Sequence, residues 1–232
     1  MGDAELLAAT LQGLQSAANR GFIDEILLVA SQGSSDHYPA PASMATQMRW
    51  LHVKGERIDL LNAGLAAANG RHVLFLRPGV KLLAGAIAEM QAALSDPLVA
   101  GGAFPVAGSR AAWCLASWLK RLAGFLPLEA CFVRRCVCLK LGGFRRLGLF
   151  EDVDFLQRLR REGRFQWMNA LDLAQGDHAV CLRKRIVDVR ALYALPLLLG
   201  VSPVRLAALH RRFSRGVLPW APATGSTHPA SL

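Results

Sequence analysis

Ile26-Leu27-Leu28-Val29-Ala30, followed by Ser31-Gln32-Gly33-Ser34-Ser35-Asp36, is the stretch on which the fold turns. A run of five apolar residues without alternation suits a strand buried on both faces, as in a parallel sheet. The polar, glycine-containing loop lies at the strand's carboxyl end, where open α/β sheets bind ligands. Upstream, residues 4–18 carry Leu6, Leu7, Leu11 and Leu14 as a helical stripe. Downstream, residues 49–53 read as a short strand and 57–68 as a helix closed by Asn69-Gly70. Val73-Leu74-Phe75-Leu76 is a second buried strand; a helix follows over 84–94, then an extended stretch over 99–106. This alternation predicts an α/β layered fold on a mainly parallel sheet.

Beyond it, residues 111–126 read as an apolar helix, 130–137 as a strand and 165–168 as another. The chain divides into an α/β domain over 1–186, a basic helical segment packed on it over 187–215, and a tail over 216–232. The tail is rich in proline and threonine and is expected to be disordered.

Hydrophobic residues make up 53% of the chain, enough for a substantial core. The formal charge of +10, from 27 Lys+Arg against 17 Asp+Glu, points to an anionic partner. No basic run is interleaved with aromatics, so nucleic acid is not expected as a partner. Five cysteines, an odd number, argue against a disulfide framework. Cys136-x-Cys138, read on a strand, has no second pair or nearby histidine to hold zinc. Reduced thiols and no evident signal peptide fit a cytoplasmic protein. The longest apolar run, 191–201, contains Pro196 and Gly200 and is too short to span a bilayer.

A second stretch runs from Gly142-Gly143-Phe144 through Glu151-Asp152-Val153-Asp154 to Gly163. Val153, Phe155, Leu156 and Leu159 fall on one helical face, with Arg158, Arg160, Arg161 and Glu162 mainly on the other. The carboxylates sit at the helix N-terminus, where they complement the dipole. Capping alone is enough to account for them.

Taken in order, four segments resemble the family 2 glycosyltransferases of the nucleotide-sugar (GT-A) fold, a Rossmann-like three-layer sandwich. They are residues 25–36; Arg57 through Asn62-Ala63-Gly64 to Gly70; 73–76; and Phe132-Val133-Arg134-Arg135 through Gly142-Gly143-Phe144 to Glu151-Asp152 and Arg158-Leu159. Gly200-Val201-Ser202-Pro203 is similar to the C-terminal segment of the small bacterial branch described as radical-SAM/selenodomain-associated. The resemblance implies sugar transfer from a nucleotide diphosphate to an acceptor hydroxyl. Asp152 is then the expected base, with Glu151 beside it. Gly142 and Gly143 are expected on the acceptor side, letting the backbone turn tightly. Asp36, Arg57 and Asn62 match donor positions, and Ser31 stands where the family has an acid that holds the nucleoside. Cys181-Leu182-Arg183-Lys184 matches a late basic element, so Arg183 and Lys184 are expected at the leaving diphosphate.

Besides Ser31, and Cys181 in place of a Ser, the sequence departs from that pattern in two larger ways. The family's first strand has no counterpart before Met1-Gly2-Asp3, through a true loss or a mis-called start. Where the family carries Asp-x-Asp to hold Mg²⁺ or Mn²⁺, this chain has Arg77-Pro78-Gly79. No metal is expected there. Arg77 can pair with phosphate in its place, or can be a solvated cation on an eroded loop. Three readings follow: a transferase with a metal-poor donor site, a catalytically inactive binding module, and peripheral membrane contact through residues 190–215. The last suits a lipid-linked acceptor.

Overall fold

A computed structural model describes residues 3–33, 44, 46–82, 85–104, 130–147, 150–168, 172–173, 196–197 and 199–217. The expected helix over 111–126, Asp36, Arg183, Lys184 and the tail beyond 217 lie outside those residues.

In chain order the elements are α1 (Asp3–Asn19), β1 (Ile26–Ser31), β2 (Met48–Val53), α2 (Arg57–Ala67), β3 (His72–Leu76), β4 (Val80–Lys81) and α3 (Ala86–Ser95). Then come β5 (Val99–Ala103), β6 (Ala130–Arg134), α4 (Arg135–Lys140), α5 (Glu151–Glu162), β7 (Arg164–Trp167), β8 (Asp172–Leu173) and α6 (Pro203–Val217).

The strands form three small sheets. β1 pairs with β2 in parallel, β4 with β8 antiparallel, and the largest sheet has the order β3-β6-β5-β7. In it β6 runs antiparallel to both β3 and β5, while β5 and β7 are parallel. The mainly parallel sheet expected from the sequence is therefore a mixed one. The reason is physical: an unbroken apolar run reports burial on both faces, not strand direction. β6, Ala-Cys-Phe-Val-Arg, is buried through its first four residues and still antiparallel. Among the described residues β1 bonds only to β2 and β3 only to β6, so each has one edge without a strand.

Side-chain alternation along the strands sorts two cores. Ala130 and Phe132 of β6, with Leu74 and Leu76 of β3, face Leu11, Leu14, Met90 and Leu94 of α1 and α3. Cys131 and Val133, with Val73 and Phe75, face Ile58 and Leu65 of α2 and Phe155, Leu156 and Leu159 of α5. Helices thus cover both faces of the sheet, a three-layer arrangement. Phe155, Leu156 and Leu159 are essentially inaccessible to solvent, and each such burial contributes about 1.5–3 kcal/mol. A third, smaller cluster seats α6 on the start of α5: Leu206, Ala207 and Leu197 pack against Phe150 and Val153.

Three local expectations change. The strand expected over 130–137 stops at Arg134, and Cys136 and Cys138 lie on the short helix α4 instead. Their backbone turns where β6 ends at the sheet margin. Asn69-Gly70 does not form a left-handed cap, because α2 ends at an extended Ala68. The backbone amides of Asn69 and Gly70 instead donate to the Glu25 carboxylate. Burial pushes the Glu25 carboxyl up, but these bonds, helped by the Asn69 side chain and Arg49, hold it below the ordinary range. Arg158, placed on the polar face by periodicity, is buried.

Candidate functional site

The loop between α4 and α5 presents the Glu151-Asp152 pair, and its start is fixed by a helix cap. Gly142 N–H donates to the Leu139 carbonyl and Gly143 N–H to the Cys138 carbonyl, the paired bonds of a Schellman motif. Both glycines have positive φ, 71° and 68°. A side chain would be strained at either, and a Cβ at Gly143 would also collide with the Asn62 amide oxygen.

Two clamps then hold this loop to α2. Asn62 donates from Nδ2 to the Phe144 carbonyl and accepts from the Phe144 N–H, both at 2.9 Å. Arg146 reaches back to Asp59, its Nε 2.7 Å from Oδ1. Phe144 itself is buried between Phe75 and Phe155, with ring centroids 5.2 and 4.3 Å away.

Two further clamps come from α5. Arg158 Nε donates to Asp154 at 2.8 Å, while its terminal nitrogens donate to the carbonyls of Leu141 at 2.7 Å and Gly143 at 2.8 Å. Arg145 closes on the other oxygen of Asp154 at 3.4 Å. Asp154 is thereby bound on both sides although only 5% exposed. It serves the loop as a brace, beyond its place in the first turn of a helix.

Asp152 is fully buried, and its Oδ1 accepts the N–H of Val153, one of the amides left over at the helix start. Glu151 precedes it as the first residue of α5. Because α5 passes to β7 through Gly163 alone, its N-terminal turn lies toward the sheet margin where β3, β5 and β7 end. Arg77 follows β3 at that same margin. Cys138, beneath the loop, has its thiol pushed up to about 12 by burial, against the opposing pull of Arg158.

The loop after β3 is built as a tight turn. Val80 N–H donates to the Arg77 carbonyl at 3.2 Å, with Pro78 and a left-handed Gly79 (φ 90°) at the centre, the geometry of a type II turn. Gly79 N–H is taken by the Thr10 hydroxyl at 2.8 Å and the Leu6 carbonyl at 3.1 Å. The turn is thus docked on α1, and the Arg77 side chain is exposed. Its residues offer no carboxylate, and among the described residues no cluster of three or more His, Cys, Asp or Glu could hold a metal. This loop does not fit a divalent cation.

Of the other expected donor residues, Ser31 pairs with Val53 at the end of β2, a few residues before Arg57. Ser31 is exposed at the end of β1, and Arg57 is exposed at the first position of α2. Asn62 has both ends of its amide on the Phe144 backbone. Sequence reasoning missed Asp59, Arg145 and Arg146, whose partners lie 9 to 87 residues away. The Asp154–Arg158 spacing of four was a usable signal.

The three layers and the mixed sheet form an α/β fold similar to the GT-A fold. A mannosyltransferase from Pyrobaculum calidifontis, solved with GDP-mannose and Mn²⁺, superposes with a TM-score of 0.59 over 93% of this chain and 73% of its own, at 17% identity. No known family profile matches the sequence. No curated protein sequence matches it either.

Proposed function

We propose that the chain is a glycosyltransferase of the family 2 kind, moving a sugar from a nucleotide-diphosphate donor to an acceptor hydroxyl. Asp152 takes the acceptor proton as the acceptor oxygen bonds to the sugar's anomeric carbon and the bond from that carbon to the diphosphate breaks. Glu151 stands beside it. The departing diphosphate carries the negative charge, and Arg77, with Arg183 and Lys184, neutralises it without a metal. Ser31, Asp36 and Arg57 are the residues assigned to binding the nucleoside. Asn62, Gly142 and Gly143 shape the loop beside the acceptor.

The observation that supports this reading is the bracing of the α4–α5 loop. Two residues of α2 and two of α5 hold residues 141–146, the segment that leads to the Glu151-Asp152 pair, in a chain whose fold is similar to the GT-A fold. Such rigidity is what a base needs to be held in place before the substrate arrives.

One feature favours a second reading, a catalytically inactive module that binds the donor or another anionic ligand. Asp152 is fully buried, whereas a base must meet the hydroxyl directly. Calorimetric titration with GDP- and UDP-sugars, with and without Mn²⁺, tests the donor site. The proposal expects binding that Mn²⁺ does not strengthen. Binding that requires Mn²⁺ would overturn the metal-free donor site, and no binding of either donor would overturn the transferase reading.

A further inference from the structure

The face of α6 turned away from the domain has no cover among the described residues, and its composition is one-sided. Leu206 and Ala207 point inward onto Phe150 and Val153. Outward stand Val204, 46% exposed, and Leu209, 45%, and Leu199 in the turn just before the helix is 76% exposed. Between them lie Arg205, Arg211 and Arg212, all exposed. Some surface arginines elsewhere meet carboxylates: Arg49 meets Glu25, Arg146 meets Asp59 and Arg164 meets Asp96. None of the described ion pairs reaches the three arginines of α6. The chain has no Asp or Glu at all after Asp188.

Exposed leucines between unneutralised arginines are ill suited to water alone. They are also ill suited to a nucleic acid, which would use the arginines and leave the leucines wet. An anionic bilayer surface satisfies both, with phosphates at the arginines and the acyl boundary at the apolar residues. We propose that the outer face of α6, with Leu199, is a docking surface for anionic lipid membranes. No helix among the described residues is long and apolar enough to cross a membrane, so the contact is peripheral. The inner face of α6 sits on the start of α5, which puts the membrane about one helix diameter, 10–12 Å, from the Glu151-Asp152 turn. The proposal stands whether or not the chain transfers sugar.

Flotation of the full chain with vesicles of phosphatidylcholine alone, and of equal parts phosphatidylcholine and phosphatidylglycerol, tests it. Flotation is expected only with the anionic vesicles and should fall as salt is raised. Replacing Arg205, Arg211 and Arg212 together by Gln should weaken partitioning roughly a hundredfold. The pair Leu199→Ser and Leu209→Ser should weaken it about tenfold or more. Both sets lie on the surface, and an unchanged unfolding midpoint shows that each variant is folded. Failure to float with anionic vesicles would overturn the proposal. So would binding to vesicles and to duplex DNA that depends on the arginines alone and ignores the leucines, since that marks a general polyanion surface.

Discussion

Replacing Arg158 by Met removes the centre of the brace while keeping most of the side chain's volume. Arg158 is 9% exposed and makes three hydrogen bonds, to Asp154 and to the carbonyls of Leu141 and Gly143. Removing one partner of a buried ion pair costs about 3–5 kcal/mol. Arg145 softens this, because it still faces the other oxygen of Asp154, at 3.4 Å and from a half-exposed position. The carbonyl of Gly143 loses its buried donor, which costs about 1–3 kcal/mol more. Leu141 lies nearer solvent, so water can replace its donor. Allowing for relaxation, a loss of about 4 kcal/mol follows, a large part of the stability of a domain this size. Urea unfolding followed by far-ultraviolet circular dichroism measures it, with the slope of the transition checked for constancy. The double variant Asp154→Leu with Arg158→Met should recover about half the loss, because no unpaired charge remains. A loss below about 1 kcal/mol for the single variant, or no coupling between the two sites, would refute the bracing argument.

Three other outcomes follow from the same geometry. Ala at Gly142 should cost about 1–2 kcal/mol for its left-handed backbone, and Ala at Gly143 more, since Asn62 must also move; thermal unfolding ranks the two. Acid should destabilise the fold from two directions. Burial, then Arg134 and Arg71, hold His72 below its ordinary 6.5, so its share of stability is present above that value and is lost as pH falls through the lower folded pKa. His72→Phe should therefore flatten the stability profile in that window, while the lowered Glu25 gives a further loss below its ordinary 4.5 that Glu25→Gln removes. Alkylation at pH 8 with mass readout should label exposed Cys136 in the native protein and buried Cys138 only after unfolding.

Helices were legible from their stripes and caps and strands from unbroken apolar runs: α1, α2, α3 and α5, and β1 and β3, fall within a few residues of the expected spans. Strand direction was not legible, because β6 is buried on both faces like a parallel strand. The end of β6 was missed as well, since Arg135-Cys136-Val137-Cys138 has β-branched and apolar residues that fit either a strand or one turn of helix. The Glu151-Asp152 turn could be found from its acidic residues at a helix start. The brace around it could not. Asn62 finds Phe144 and Asp59 finds Arg146 across more than eighty residues, and no local period encodes such a meeting. Arg158 was misplaced because periodicity treats every arginine as polar, whereas this one is buried against Asp154 one turn before it and two carbonyls that only the folded chain brings to it.

The central claim is that Asp152 removes the acceptor proton in a sugar transfer that needs no metal. Transfer to water bypasses the unknown acceptor, so release of nucleoside diphosphate from GDP- and UDP-sugars in the presence of chelator measures it directly. The account predicts release by the unaltered chain and a fall of about 10²–10⁴-fold in the Asp152→Asn variant, with the two unfolding at the same urea concentration. Release by the variant at the unaltered rate would contradict it.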